Sequence, residues 1–97
     1  MRARPRKDKN HAAIVNALRG VGATVADTSA LGGGIPDLLA GYKGVNVWIE
    51  VKDGAGSLTE DQLEFIAKWR GTPVRVCRNT DEALRAIGVL PDKGPRF

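Results

Sequence analysis

The spacing of apolar residues predicts short helices and strands that follow one another without a long linker. An amphipathic helix is expected from Asn10, its N-cap, to about Arg19, because apolar residues recur there every three or four positions. Those residues are Ile14, Ala17, Leu18 and Val21. Three strand-like runs follow, at Ala23–Asp27, Asp37–Tyr42 and Val45–Val51. Lys43-Gly44 separates the last two runs and has the length of a hairpin turn.

The second half of the chain predicts two further helices around one strand. Thr59-Glu-Asp-Gln62 has the form of a capping box and opens a predicted helix that extends to about Arg70. Its expected buried stripe consists of Leu63, Ile66 and Ala67. A buried strand is predicted at Val74–Cys77, and Asn79 is expected to cap a helix that ends at Gly88. The order of elements predicts an α/β fold, a small mixed β-sheet flanked by helices.

Length and composition favour one domain in a reducing compartment. The 97 residues divide into an arm at 1–9, a domain at 10–88 and a polar tail at 89–97. The 42% hydrophobic content is ordinary for a globular chain, and no apolar run is long enough to span a membrane. Cys77 is the single cysteine and cannot form an internal disulfide. We therefore expect no membrane association and a cytoplasmic location.

Positive charge is concentrated at the start of the chain. The formal net charge is +4, and the first ten residues contain a single acid, Asp8. The basic residues of this segment are Arg2, Arg4, Arg6, Lys7 and Lys9. Such an arm suits contact with phosphates, because each neutralised phosphate releases counterions. A solvated terminus without a partner is the alternative interpretation.

The predicted hairpin would bring three chemically useful side chains together. If Lys43-Gly44 is the turn, its register places Asp37 opposite Glu50, and Lys52 lies on the same strand face as Glu50. Two opposed carboxylates repel each other, and a hard cation such as Mg²⁺ or Mn²⁺ would relieve that cost. The alternative is an exposed strand face with a cross-strand salt bridge, in which Asp37 is only a turn residue.

The same residues belong to a recognisable motif. Gly34-Ile35-Pro36-Asp37, twelve further residues and then Glu50-Val51-Lys52 resemble the signature of the PD-(D/E)XK nuclease superfamily. The flanking segments, Trp48–Gly54 and Leu58–Gln62, are similar to those of its VRR-NUC branch. That branch includes small stand-alone phage nucleases and resembles the archaeal Holliday junction resolvases. The resemblance covers about residues 8–88 and implies a restriction-endonuclease-like core.

The resemblance implies a metal-dependent endonuclease that hydrolyses phosphodiester bonds. Asp37, Glu50 and the backbone carbonyl of Val51 would hold Mg²⁺ or Mn²⁺, and Lys52 would serve the attacking water. Gln62 matches a glutamine often found near the site in the superfamily, although capping the helix at Thr59 is an equal alternative. The expected substrate is branched DNA such as a Holliday junction, cut by a homodimer. A phage-encoded chain would work in the host cytoplasm.

Two features leave alternatives open. Many relatives place a glutamate in the first helix, where this chain has His11. As a metal ligand, an imidazole there would favour Mn²⁺ or Zn²⁺ over Mg²⁺. The alternative is that His11 is an ordinary surface residue. Ser29 is a candidate contact to a DNA phosphate, with a turn role as the alternative. The missing acid also motivates a second hypothesis, a catalytically impaired DNA-binding module of the same fold.

Overall fold

The computed structural model describes residues 8–92, which fold into three helices and four strands. The helices are α1 (His11–Gly20), α2 (Glu60–Lys68) and α3 (Thr80–Ala86). The strands are β1 (Thr24–Asp27), β2 (Leu38–Tyr42), β3 (Val45–Val51) and β4 (Arg75–Cys77). The predicted order of elements and the mixed α/β sheet are therefore confirmed.

The sheet has the order β1-β2-β3-β4, with two antiparallel pairs and a parallel pair between β3 and β4. The hairpin turn is Lys43-Gly44, and both residues have positive φ, 49° and 81°. Positive φ at both central residues is typical of a type I′ turn, whose twist matches that of the flanking strands. Tyr42 pairs with Val45 and Leu38 with Ile49, which confirms the predicted register.

The hydrophobic core lies between one face of the sheet and helices α1 and α3. Ile14 and Leu18 of α1 are fully buried against it, as are Leu38 and Ile49 of the hairpin. Burying each of these side chains contributes about 1.5–3 kcal/mol before conformational entropy is counted. The core therefore holds α1, the hairpin and α3 together, and it fixes where the ends of the strands meet.

The start of α1 differs from the prediction. Asn10 occupies the N-cap position, but its side chain makes no capping hydrogen bond. Its Nδ2 instead donates to the carbonyl oxygens of Lys52 (2.9 Å) and Arg78 (2.7 Å), just beyond the ends of β3 and β4. The expectation of a side-chain cap was wrong because two main-chain acceptors, brought close by the sheet, compete for the amide. The predicted Asn79 cap of α3 is confirmed, with Oδ1 accepting from the N–H of Glu82 at 2.8 Å.

Helix α2 is capped as predicted but packs differently. Thr59 and Gln62 form the full capping box. No residue of α2 is buried, however, and Leu63 is 53% exposed, so the predicted buried stripe is wrong. The helix contacts the sheet through aromatic rings. The ring of Trp48 in β3 lies edge-on to those of Phe65 and Trp69, with centroid distances of 5.9 and 5.8 Å. Trp48 therefore packs beneath α2.

Within residues 8–92, no helix is long and apolar enough to cross a membrane. Cys77 is buried, as predicted for a small apolar side chain in the core.

Candidate active site

The open end of the β2–β3 hairpin brings Asp37 and Glu50 together. Asp37 directly precedes β2, which starts one residue later than predicted, and extending the β2–β3 register by one residue places Asp37 opposite Glu50. The N–H of Val51 donates to Oδ2 of Asp37 at 3.0 Å, which fixes the aspartate beside β3. The Asp37 carboxyl lies close enough to Glu50 for its hydrogen-bonding capacity and its negative charge to raise the pKa of Glu50.

Glu50 has a strongly perturbed ionisation. Its side chain is 2% exposed, and burial raises its pKa from 4.5 to about 8. The hydrogen bond to Asp37 and the negative charge of Asp37 add to the rise, and Lys52 opposes it. A buried carboxyl whose pKa lies near neutrality is a common feature of functional sites.

Gln62 connects α2 to this pair. Its Oε1 accepts from the backbone N–H of Thr59 at 2.9 Å, and its Nε2 donates to Oε2 of Glu50 at 3.1 Å. The sequence left two interpretations of Gln62, a helix cap and a contact with the site, and its side chain makes both contacts. The amide can do both because its oxygen and nitrogen point in different directions.

Lys52 directly follows β3 and lies in the cleft of Asp37 and Glu50. Its side chain is half-buried and lines the cleft that contains Asp37 and Glu50. Two hydrogen bonds hold its backbone. The N–H of Lys52 donates to the carbonyl of Cys77 (3.1 Å), and the carbonyl of Lys52 accepts from the side-chain amide of Asn10. The hairpin and β4 therefore fix the position from which the amine extends.

The main chain of Val51 is oriented toward the acids. In a strand, the N–H and C=O of one residue leave along the same edge. Since the Val51 N–H bonds to Asp37, its carbonyl also points toward the β2 side and not toward β4. The carbonyl oxygen lies on the side where the predicted ligand set requires it.

The opposite wall of the cleft is built by His11 and Asp27. His11 is 5% exposed, so it is not the ordinary surface residue that the sequence left open. Its Nε2 lies 3.0 Å from Oδ2 of Asp27. Oδ1 of Asp27 accepts from the backbone N–H (3.0 Å) and the hydroxyl (2.6 Å) of Ser29, so Ser29 has its predicted turn role and also lines the cleft.

Asp27 is a cleft residue that the sequence interpretation missed. A signal was available: α1 and β1 are joined by a short turn, so the start of the helix and the end of the strand must lie side by side. The pairing of His11, at the start of α1, with Asp27, at the end of β1, could have been inferred from this short connection.

All of these side chains border one cleft of about 740 Å³. Five acids line it together with His11, Lys52 and Gln62: Asp8, Asp27, Asp37, Glu50 and Asp61. The glycine loop before Asp37 forms its rim, and Gly34 lies so close to the start of α2 that a Cβ there would be 2.2 Å from the carbonyl oxygen of Asp61. The loop therefore needs glycine for its contact with α2.

The donor set of the cleft suits a hard cation. Within residues 8–92, no group of three or more His, Cys, Asp or Glu side chains is assembled at metal-binding distance. Mg²⁺ commonly binds through only one or two carboxylates, with water and substrate oxygens completing its shell. A buried glutamate beside a second acid in the same cleft fits that requirement, because a cation would neutralise the negative charge of both.

The charge of the chain is divided between this domain and its termini. All 11 acids lie within residues 8–92, whereas six of the 15 bases lie outside that range: Arg2, Arg4, Arg6, Lys7, Lys93 and Arg96. The described domain thus carries nine bases and a formal charge of −2, although the whole chain carries +4. Of the predicted DNA contacts in the arm, Lys9 is exposed outside the cleft lining, and the others lie outside the described residues.

Comparison with known proteins adds no relative. No protein-family model matches the chain, and no curated protein and no solved structure matches it. The fold and the cleft define a small α/β domain with an acidic, partly buried site at the open end of a hairpin.

Proposed function

We propose that this chain is a metal-dependent endonuclease of the PD-(D/E)XK type. The observation that carries the proposal is the placement of Asp37 beside buried Glu50, with Lys52 and Gln62 around them in one cleft. A structural salt bridge would leave these groups exposed and paired one to one. The four-stranded mixed sheet with helices around it is consistent with a restriction-endonuclease-like core.

Each residue has a distinct proposed role. Asp37, Glu50 and the Val51 carbonyl hold Mg²⁺ or Mn²⁺, which when bound supplies Lewis acidity to the scissile phosphate and to water. Lys52 orients the attacking water and stabilises negative charge that develops on the phosphate. Gln62 keeps the Glu50 carboxyl in place through the 3.1 Å hydrogen bond. The residues proposed to act on the reacting atoms thus come from a single hairpin.

The proposed substrate is branched DNA, such as a Holliday junction. The domain around the cleft is acidic, so attraction for a polyanion has to come from the basic arm and tail. The arm residues Arg2, Arg4, Arg6 and Lys7 supply most of that charge. A domain of this size has little surface for reading bases, and recognition of DNA shape and backbone suits it better.

Symmetric cutting of a four-way junction needs two sites, and we therefore propose a two-fold homodimer. Sedimentation with junction DNA at micromolar protein tests this part separately. A complex containing two chains is expected, and one containing a single chain would contradict paired cleavage.

A cleavage assay with a matched lysine control tests the proposed activity. Purified protein is incubated with junction and linear duplex DNA in Mn²⁺, Mg²⁺ or EDTA. Cutting is expected only with a cation, and Lys52→Ala is expected to slow it by about a hundredfold or more. Lys43→Ala removes an exposed lysine at the far end of the hairpin and is expected to change the rate by less than about twofold. Equal rates for both variants would contradict the role of Lys52.

A second candidate is a DNA-binding module without catalysis. It is favoured by the absence, in the described part of the chain, of a third metal-ligating side chain gathered at the carboxyl pair. Binding of junction DNA that persists in EDTA, with no cutting in either cation, would support this module over the nuclease.

A further inference from the structure

A second cavity, of about 730 Å³, lies at the edge strand β4 and helix α3 and is lined by three arginines. Arg75 belongs to β4, Arg78 directly follows that strand, and Arg85 lies in the last turn of α3. Two acids, Glu82 and Asp92, also border this arginine cavity, so its bases exceed its acids. The sign of its charge is therefore opposite to that of the cleft, which five acids line.

The arginine cavity adjoins the cleft. Lys52 and Arg78 directly follow β3 and β4, two neighbouring parallel strands whose last residues pair with each other. A single atom, Nδ2 of Asn10, donates to the backbone carbonyls of both residues. Nη1 of Arg78 also donates to the carbonyl of Gly54 at 2.8 Å, in the loop that follows Lys52. Leu58, from the same loop, borders the arginine cavity, so this loop lies between the cavity and the cleft.

The guanidinium groups retain donors for an anion. Arg85 is half-buried and makes no hydrogen bond or ion pair within residues 8–92. Arg78 uses Nη1 for the Gly54 carbonyl, and a guanidinium has five N–H groups in all. Arg75 pairs with Asp92 at 3.2 Å, but both side chains are exposed, and exposed ion pairs are weak enough for an anion to compete. Oε1 of Glu82 accepts from the backbone N–H of Arg78 at 2.7 Å, so this acid is directed at the main chain.

We propose that Arg75, Arg78 and Arg85 form a binding site for a backbone phosphate of DNA that lies outside the cleft. Arginine suits this ligand because its planar fork can donate two parallel hydrogen bonds to phosphate oxygens. The basic termini supply the net attraction for DNA, whereas a fixed site beside Lys52 determines where the strand lies. A phosphate held there also offsets the repulsion between the strand and the acids of the cleft. Positioning of a strand for cutting rests on the proposed nuclease function, and phosphate binding itself does not.

The salt dependence of DNA binding tests the site. Fluorescence anisotropy of a labelled linear duplex is measured in EDTA over a series of salt concentrations. The logarithm of the association constant falls with the logarithm of salt concentration, with a slope of about −0.9 for each neutralised phosphate. Arg85→Ala is expected to make this slope shallower by about 0.9 and to weaken binding by about tenfold at low salt. Arg85→Lys keeps the charge and is expected to keep the slope.

Arg70→Ala is the matched control, because it removes an exposed arginine that lines neither the cleft nor the arginine cavity. Its slope is expected to equal that of the wild type, and its dissociation constant to change by less than about twofold. Equal slopes and affinities in Arg85→Ala and Arg70→Ala would overturn the proposal, as would a wild type that does not bind the duplex at low salt.

Asp92→Asn gives a change of opposite sign, which damage to the fold would not produce. It removes the acid that competes for Arg75, so DNA binding is expected to tighten by about threefold. Asp81→Asn removes an exposed acid of α3 outside the arginine cavity and is expected to have a smaller effect. Equal affinities in these two variants would contradict the site, even if Arg85→Ala failed to fold. Since no cleavage is measured, a protein that binds through this site without cutting would contradict the nuclease proposal alone.

Discussion

The side-chain amide of Gln62 donates to Oε2 of Glu50 at 3.1 Å while its oxygen caps helix α2 at Thr59. One residue therefore couples the start of a helix to the buried acid of the cleft. Because α2 has no buried residue of its own, this contact and the aromatic rings beneath the helix determine where it sits.

Two variants of the capping box separate its two functions. Thr59→Ala and Gln62→Ala each remove a capping interaction and are expected to lower the free energy of unfolding by about 1 kcal/mol. Gln62→Ala also frees the Glu50 carboxyl, so the Mn²⁺ association constant is expected to change in this variant alone. Chemical denaturation and calorimetry measure the two effects. An equal change in Mn²⁺ affinity in both variants would assign it to the helix and not to the Glu50 contact.

The metal-free protein is expected to lose stability as the pH rises. Glu50 has a pKa of 4.5 in the unfolded chain and about 8 in the fold, so between these values only the unfolded chain ionises. The stability from this difference is complete below pH 4.5 and is lost as the pH passes through 8. Thermal unfolding in EDTA measures this loss of stability, which is at most about 1.4 kcal/mol of unfolding free energy per pH unit.

Glu50→Gln is the control for this pH dependence. The amide keeps the shape of the side chain and cannot ionise, so the decline of the unfolding midpoint with pH is expected to become shallower. A decline as steep as that of the wild type would show that another group causes it.

Two glycines of the same loop give a matched test of its contact with α2. Gly33 and Gly34 both have positive φ, 65° and 81°, so alanine at either position costs about 1 kcal/mol of strain. Gly33 has open space around it, whereas a Cβ on Gly34 would meet the Asp61 carbonyl at 2.2 Å. Gly34→Ala is therefore expected to displace α2 and to reduce cation affinity, and Gly33→Ala is not. Equal cation affinities in the two variants would contradict this role of the loop.

Asn10 is expected to be important for stability although it lies outside the hydrophobic core. Its Nδ2 is shared by the carbonyls of Lys52 and Arg78, and Asn10→Ala would leave both without this donor. We expect a loss of about 2 kcal/mol in the free energy of unfolding. Asn10→Asp should lose more, because a carboxylate would face two acceptors. Asn16→Ala, an exposed asparagine on the same helix, is the control, with a change within about 0.5 kcal/mol.

The sequence predicted the hairpin and its register well because both are local. A two-residue turn at Lys43-Gly44 leaves one way to pair the strands, and that pairing fixes Asp37 opposite Glu50. The amide of Gln62 could be placed near the site only through family resemblance, and its hydrogen bond to Glu50 needed the packing of α2.

The pairing of His11 with Asp27 joins two neighbouring elements, α1 and β1, and could have been inferred from their short connection. The amide contacts of Asn10 could not, because they span 42 and 68 residues of sequence. The prediction of a buried stripe on α2 was wrong because periodicity shows which residues share a face, not what covers that face. Leu63 lies on such a face and is 53% exposed.

The most direct measurement is the single-turnover rate of junction cleavage in Mn²⁺ by wild type and by the double variant Asp37→Asn with Glu50→Gln. Both changes keep the side-chain shapes and the buried hydrogen bonds while removing the two negative charges that would hold the cation. We predict a fall of at least about a hundredfold in a protein that stays folded. A cleavage rate equal to that of the wild type would contradict the central role of this carboxyl pair.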